Sequence, residues 1–465
     1  MKAARYLGGF IAAAALALGG LGAAQAQTGT LPTFSSGIQV QNLSSTTANI
    51  TIAFYPLNNG TAAATFDGTV PANASTTYAT LPSAVAAGFD GSAVISSDQR
   101  IAAVVNIVSP DLATFSTTGL GGEAYAGVTG GSTTARVPLL FKNAGGFNSF
   151  VAVQNVGSSA TNITITYQNG QTQTQNNVAP GASVRFDQKL APAATLPDGF
   201  VGAATITSSG SDIAAVVTQV GPTTVLIYNG FSAGATSPVF PLVNANNGGF
   251  ITGIAIQNAG TAASDVTVSY TPSTGGNGQA QGAACTETKT IAPGASVNFA
   301  VDAFRTTVAG ETCANGALFV GSARVSANTG NAPLVAIVNQ LNSGTNKGGA
   351  YAAFDPTPAT ATVVYPLIQD RVSNFFTGIS IYNAGTVATP IECTFSGSTV
   401  KQTSPAPVAP GAAFTVVQNG VIANTYTGAG VCTATAAGAK IVGIGNQLRA
   451  AGTKDTFFVY EGINN

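Results

Sequence analysis

The stretch GIAIQNAG, residues 253–260, alternates apolar side chains with small or polar ones and then stops abruptly at Asn-Ala-Gly. A two-residue period puts Ile254 and Ile256 on one face of a strand and Ala255 and Gln257 on the other. Asn258 can bond its own backbone two residues on, and Gly260 tolerates φ > 0, so the phrase reads as a strand whose end opens a hairpin. Variants stand at 37–44 (GIQVQNLS), 150–157 (FVAVQNVG) and 378–385 (GISIYNAG). Their asparagines, Asn42, Asn155, Asn258 and Asn383, lie 113, 103 and 125 residues apart.

The same succession of segments follows each of them. A second alternating strand comes first: NITIAFY (49–55), NITITYQ (162–168), DVTVSYT (265–271) and PIECTFS (390–396). Its inward columns are Ile50, Ile163, Val266 and Ile391, then Ile52, Ile165, Val268 and Cys393, then Phe54, Tyr167, Tyr270 and Phe395. A proline turn recurs as VPANAS (70–75), VAPGAS (178–183), IAPGAS (291–296) and VAPGAA (408–413). Pro fixes φ there and Gly takes the left-handed position. GSAVISS, GAATITS, GSARVSA and VCTATAA then lead into IAAVVNIV (101–108), IAAVVTQV (213–220), LVAIVNQL (334–341) and IVGIGNQL (441–448). This last family is almost continuously apolar, as in a central strand. An aromatic strand such as TFFVYEG (456–462) closes the unit, and VPLLF (137–141), FPLVN (240–244) and YPLIQ (365–369) open the next.

Seven or eight short strands in roughly 110 residues, with turn signals between them, fit a β-sandwich better than a solenoid, whose repeats run at roughly 20 to 45 residues. No segment after the leader has helical periodicity. Units of this size can bury cores of their own, so the chain reads as four beads on a string. The expected fold is all-β: a signal peptide at 1–26, then four sandwiches at 27–134, 135–236, 237–361 and 362–465.

The leader has Lys2 and Arg5, an apolar run at 7–22 and small residues at Ala24-Gln25-Ala26, which places signal-peptidase cleavage after Ala26. The run is shorter than the roughly 20 residues of a spanning helix and holds five glycines, which argues against a retained anchor. An exported chain without a transmembrane segment follows. Without Lys2 and Arg5 the 16 basic residues fall to 14, against 17 acidic ones. No basic cluster is available to neutralise phosphates, so nucleic acid is not an expected partner. Charged residues make up 7% of the chain, against about 25% in ordinary soluble domains. Weak charge repulsion favours self-association.

The order of strand, Asn-x-Gly turn, alternating strand and Pro-Gly-x-Ser turn, clearest in IQNAGTAASDVTVSY with IAPGAS and GSARVSA, resembles the immunoglobulin-like repeats of bacterial secreted and cell-surface proteins, including cell-adhesion-related domains. The resemblance covers all four units and implies an extracellular spacer, adhesive or assembly role. The acidic calcium-binding linkers of some surface repeats are missing from this sequence.

Cys285 and Cys313 fall in the third unit, Cys393 and Cys432 in the fourth. Disulfides persist in an exported chain, and pairing within each unit closes loops of 27 and 38 residues. Such loops bring about 3 to 4 kcal/mol each in the chain-entropy model. Two other pairings are formally open. Cys432, on another strand, is expected to reach Cys393 across the core.

GFSAG (230–234) imitates the nucleophile elbow of serine hydrolases, but the chain contains no His and no Ser-His-Asp relay can be built on Ser232. Asp98 and Asp212 precede the apolar strand in two units only, as turn residues do. No catalytic, metal-ligating or cofactor-binding set emerges, and no cofactor is expected. A polar column interrupts the apolar strands at Asn106, Thr218, Asn339 and Asn446. It offers either one amide-rich contact spot per unit or a structural tie to a neighbouring loop. The function expected is that of an exported, non-catalytic structural or adhesive protein that associates with itself or with envelope components. The alternative is a binding module for glycans or an envelope partner.

Overall fold

A computed structural model describes residues 9–11, 34–78, 85, 88–108, 121–274, 280–301, 303–305, 312–423, 425–449 and 455–464. The expected cleavage point at Ala26 lies outside them. The described residues contain no helix, and therefore none long and apolar enough to cross a membrane. The protein is all-β.

The third repeat shows the plan. One sheet runs Val239–Ala245, Phe319–Ala327, Ser264–Pro272, Cys285–Ile291; the other runs Ser296–Phe299, Ile251–Asn258, Leu334–Asn342, Lys347–Ala352. Every ladder is antiparallel. The second repeat follows the same plan, with Thr134–Lys142, Phe200–Ser208, Thr161–Tyr167 and Thr172–Val178 against Ser183–Asp187, Asn148–Asn155, Ile213–Val220 and Val225–Asn229. In the fourth, Thr362–Val372 pairs with Tyr426–Ala434 and, at its far end, with Phe375–Asn383, which joins the layers into one nine-stranded sheet. In the first, Gly9–Ile11 lies between Gly91–Ser97 and Val128–Thr129. The opening strand of repeats two to four pairs with the sixth strand of its own repeat. A constant-type immunoglobulin sheet instead places its first strand beside its second.

All twelve residues of the inward columns are buried. The recurrent asparagine is buried as well, at 0% exposure in all four repeats. Asn258 Oδ1 accepts from Gly260 N at 2.8 Å, while Nδ2 donates to Ala262 O at 2.8 Å and to Ile291 O at 3.0 Å. Asn42, Asn155 and Asn383 make the same three bonds to equivalent groups. This corrects the hairpin reading. Ile251–Asn258 and Ser264–Pro272 belong to opposite sheets, so the Asn opens an arch between layers. Its bond to Ile291 O, at the end of a strand in the facing sheet, ties the layers together.

Both disulfides form within a repeat, Cys285–Cys313 and Cys393–Cys432. The second does not cross the core as expected. Cys393 and Cys432 are register partners on the adjacent strands Ile391–Phe395 and Tyr426–Ala434, with Cα atoms 4.0 Å apart. Opposed residues of one antiparallel ladder approach more closely than residues of facing sheets, about 10 Å apart.

The four repeats are not beads on a string. Val216, Val225 and Ile227 of the second repeat pack into the core of the first, and Ala255 and Ile337 of the third into that of the second. Ile444, Phe457 and Val459 of the fourth enter the third, and Val104 and Ala124 of the first enter the fourth. The contacts run head to tail and close. They explain the continuous apolar strands: one face of IAAVVTQV or LVAIVNQL lines its own core, and the other lies against the preceding repeat.

The arch predicts a stability defect. Asn258→Ala strands the buried Ile291 carbonyl and frees the part-buried Gly260 N–H and Ala262 O, and should cost about 2 kcal/mol in denaturant unfolding. Asn258→Asp should cost nearly as much, because Asp cannot donate to Ala262 O and Ile291 O; a neutral Asp variant would reduce the residue to an ordinary turn former.

Candidate functional site

The sequence places Pro-Leu at Pro138-Leu139, Pro241-Leu242 and Pro366-Leu367 in the opening strands. Proline brings no N–H to a ladder. At each site the register shifts, between Val137 and Leu140, Phe240 and Val243, and Tyr365 and Ile368. The bulge leaves the Leu backbone groups to a tyrosine from the closing strand. Tyr228 Oη donates to Leu139 O at 2.7 Å and accepts from Leu139 N at 3.2 Å. Tyr351 serves Leu242 in the same two ways, and Tyr460 donates to Leu367 O. All three rings are buried, and burial pushes their hydroxyls far above the ordinary tyrosine range.

Those tyrosines fix the closing strands Val225–Asn229, Lys347–Ala352 and Phe457–Glu461, which with Gly122–Ala126 pack against one another in a closed circuit around a common axis. Three carboxylates and one amide hold the axis. Glu123 Oε1 accepts from Val459 N at 2.6 Å and Ala124 N at 2.8 Å, and its Oε2 accepts from Ala350 N at 2.8 Å. One side chain of the first repeat thereby grips the third and fourth. Asp455 of the fourth accepts from Gly348 N at 3.0 Å and Val225 N at 3.3 Å, gripping the third and second. Glu461 accepts from Ala352 N and Ala126 N, and Asn229 Nδ2 donates to Ala126 O at 2.8 Å. Gly349 leaves room for the neighbouring strand, since a Cβ there would stand 2.4 Å from Val459 Cγ2.

Burial drives Glu123 and Asp455 well above the usual carboxylate range, against the pull of the N–H donors; for Glu123 the nearby Asp455 adds to the rise. Glu461 is raised by burial too. Lys347, whose Nζ donates to Thr456 Oγ1 at 3.1 Å, is lowered by burial and partly restored by Asp455. None of these four groups was singled out by sequence reasoning. Their signal was their isolation: single charges within or beside apolar closing strands of a chain with few charges.

The polar column lies at the seams between repeats. Thr218 and Asn339 are buried and Asn106 and Asn446 half-buried. Asn339 Nδ2 donates to Gln219 Oε1 of the second repeat at 2.8 Å, closing the seam between the second and third. The equivalent groups between third and fourth are Asn446 and Gln340, and they do not bond. Gln340 Oε1 instead accepts from Asn244 Nδ2 at 2.9 Å, while Gln340 Nε2 and Asn446 Oδ1 have no partner. Both side chains border a cavity of about 840 Å³ between these two repeats. Phe250 and Phe457 contact each other at its wall, Phe376 and Phe414 add partly exposed rings, and Pro405 and Pro407 form a rim. Among the described residues none that lines it is charged.

Ser232 is exposed on a loop. Asp98 is also exposed, and its carboxylate caps Asn49 N at 2.8 Å, a contact that lowers its pKa together with the Asn49 side chain. Asp212 is exposed in the equivalent turn. Among the described residues no group of three or more His, Cys, Asp or Glu is arranged to hold a metal ion. No protein-family model matches the chain, and no curated protein matches it.

Two outcomes follow from the axis. Glu123→Ala strands three buried N–H groups on three repeats and should lower unfolding free energy by about 3 kcal/mol or more. Carboxyls with elevated pKa values stabilise the fold while protonated; that contribution is whole below their unfolded values and drains as pH rises through the elevated ones. The melting temperature should therefore fall as pH rises above the ordinary carboxylate range, and fall less steeply in Glu123→Ala.

Proposed function

We propose that this is an exported, non-catalytic structural or adhesive component of the bacterial cell surface or extracellular matrix, in which the four repeats act as one rigid block. The observation that carries this reading is the closure of the head-to-tail contacts by Val104 and Ala124 of the first repeat against the fourth. Together with the bonds from Glu123 to two other repeats, it fixes the relative positions of all four outer surfaces. A string of independent sandwiches spaces its contact surfaces loosely; a closed ring presents them at set distances and angles, so partner binding forfeits less orientational freedom. Two intramolecular disulfides fit an oxidising compartment, and the leader fits export. The immunoglobulin-like reading and the division at 27–134, 135–236, 237–361 and 362–465 belong to this proposal. Self-association into an array or filament, or attachment to envelope components, supplies the partner.

Small-angle scattering of the purified protein should give the dimensions of a compact particle, and fractionation with imaging should place it in a surface lattice, fibre or matrix. A beaded, extended profile, or a protein found only as free monomer in the supernatant, would overturn the reading. A second reading, a binding module for glycans, is favoured by the uncharged cavity between the third and fourth repeats.

A further inference from the structure

We propose that the cavity between the third and fourth repeats is a binding site for a short run of neutral sugar rings, a proposal that rests on the second reading above. Two seams of the molecule are built from equivalent residues and end differently. Between the second and third repeats the amide pair Asn339–Gln219 is joined at 2.8 Å. Between the third and fourth, Asn446 and Gln340 both border the cavity without bonding each other. Gln340 Nε2 and Asn446 Oδ1 have no partner, as Gln447 Nε2 and Asn106 Oδ1 have none at the seam between the fourth and first repeats; what sets the third–fourth seam apart is the cavity its amides border. Buried polar atoms in such a state are costly unless something completes them.

The lining chemistry points to the ligand. Asn247, Gln281 and Asn446 put half-buried amides on the lining, and a hydroxyl both accepts from an amide N–H and donates to an amide carbonyl, which an ether, ester or carboxylate does not. Ser380, Ser404 and Thr415 add further hydroxyl partners on the lining. Among the described residues no charged group lines the cavity to meet a carboxylate, phosphate or ammonium, so a charged ligand would surrender its hydration to them without compensation. The remaining lining is apolar, with the rings of Phe376 and Phe414 partly exposed. Sugar rings combine an apolar face with a rim of hydroxyls, and the cavity combines flat apolar rings with amides and hydroxyls.

The rim is peculiar to the fourth repeat. In the second, Thr172–Val178 continues as a strand to its Pro-Gly turn, whereas the fourth stops its equivalent strand at Lys401–Thr403 and carries Ser404-Pro405-Ala406-Pro407 where the second has Gln175-Asn176-Asn177. Proline restricts the backbone, so this segment forms a stiff border.

The test uses the full mature chain and the uncharged hexasaccharides of cellulose, chitin and amylose, with titration calorimetry for affinity and methyl NMR for position. At least one sugar should bind and shift the methyl signals of Leu242 and Leu448, which line the cavity. Asn446→Leu and Phe414→Ala should each weaken that binding by about tenfold, whereas Ser232→Ala, on a loop of the second repeat, should leave it unchanged. The methyl shifts come from the wild-type protein, so the outcome stands even if a variant misfolds. Failure of all three sugars, shifts confined to other methyls, or preferential binding of an uncharged Pro/Ala/Ser peptide would overturn the proposal. Surface location and particle shape are read independently, so a negative result here leaves the structural proposal standing.

Discussion

Both faces of the strands Ile101–Val108, Ile213–Val220, Leu334–Asn342 and Ile441–Arg449 are withdrawn from water, and the rest of the architecture depends on that constraint. An antiparallel sheet of a free-standing sandwich commonly keeps one face solvated and reads as a clean alternation. Here the outward residues Val104, Val216, Ile337 and Ile444 are buried in a neighbouring repeat's core. A repeat cut from the ring would expose them together, as a contiguous apolar patch of the kind that drives association. The chain avoids this by placing each repeat against the one before it and the first against the last. Head-to-tail contacts between like units either close or propagate as a fibre. Having them within one chain settles the number at which they close.

Burial on both sides creates a polar problem that the axis solves. The closing strands pack together at the centre, where the free N–H groups of their outer edges have no water. Glu123, Asp455 and Glu461 supply acceptors, each reaching at least one strand of another repeat. Burying a carboxylate is expensive, and removing one after the structure has formed around it costs more than never having placed it. The carboxylates therefore specify which repeat meets which more than they add net stability. Their distribution is uneven in a way that suits this. At the position of Glu123 the third repeat has Gly349, where Val459 comes too close for any side chain. Equivalent positions in the four repeats are thus occupied by complementary groups.

Much of the fold was legible because the repeats state it four times. The alternation in NITITYQ and DVTVSYT located the core columns, and the Asn-x-Gly and Pro-Gly phrases located the strand ends. The role of the asparagine was half legible. Its bond two residues on follows from local chemistry, but its donation to Ile291 O depends on which sheet each strand joins, and adjacency in sequence favoured the wrong one. The same bias misplaced the Cys393–Cys432 bond, since no sequence pattern distinguishes ladder neighbours from residues on facing sheets. The closed ring was written in IAAVVTQV and LVAIVNQL, whose unbroken apolar character is shared by a strand buried between two layers of one domain and a strand buried between two repeats. Only the lone charges in GEAYA and TKDTFFVYEG pointed to the second case, and a single acid in an apolar strand carries no information about the distant backbone it will meet.

The seams show how a repeated interface acquires a difference. The polar column interrupts the strand at a point that faces the preceding repeat, so an amide there needs an amide opposite. The second and third repeats meet that need through Gln219. The third and fourth carry the same residue types, yet Asn244 takes the acceptor of Gln340, Asn247 Nδ2 donates to Asn244 Oδ1 at 3.0 Å, and the chain of bonds turns back into the third repeat. What would have been a closed contact becomes the wall of a space, bordered by Ser404-Pro405-Ala406-Pro407. A void of this size between close-packed sheets forfeits dispersion contacts on both sides, whereas the second and third repeats join their amides at the equivalent point. The departure from the repeat is where selection on something other than packing becomes visible, which is why the cavity, and not the better-ordered axis, bears the functional proposal.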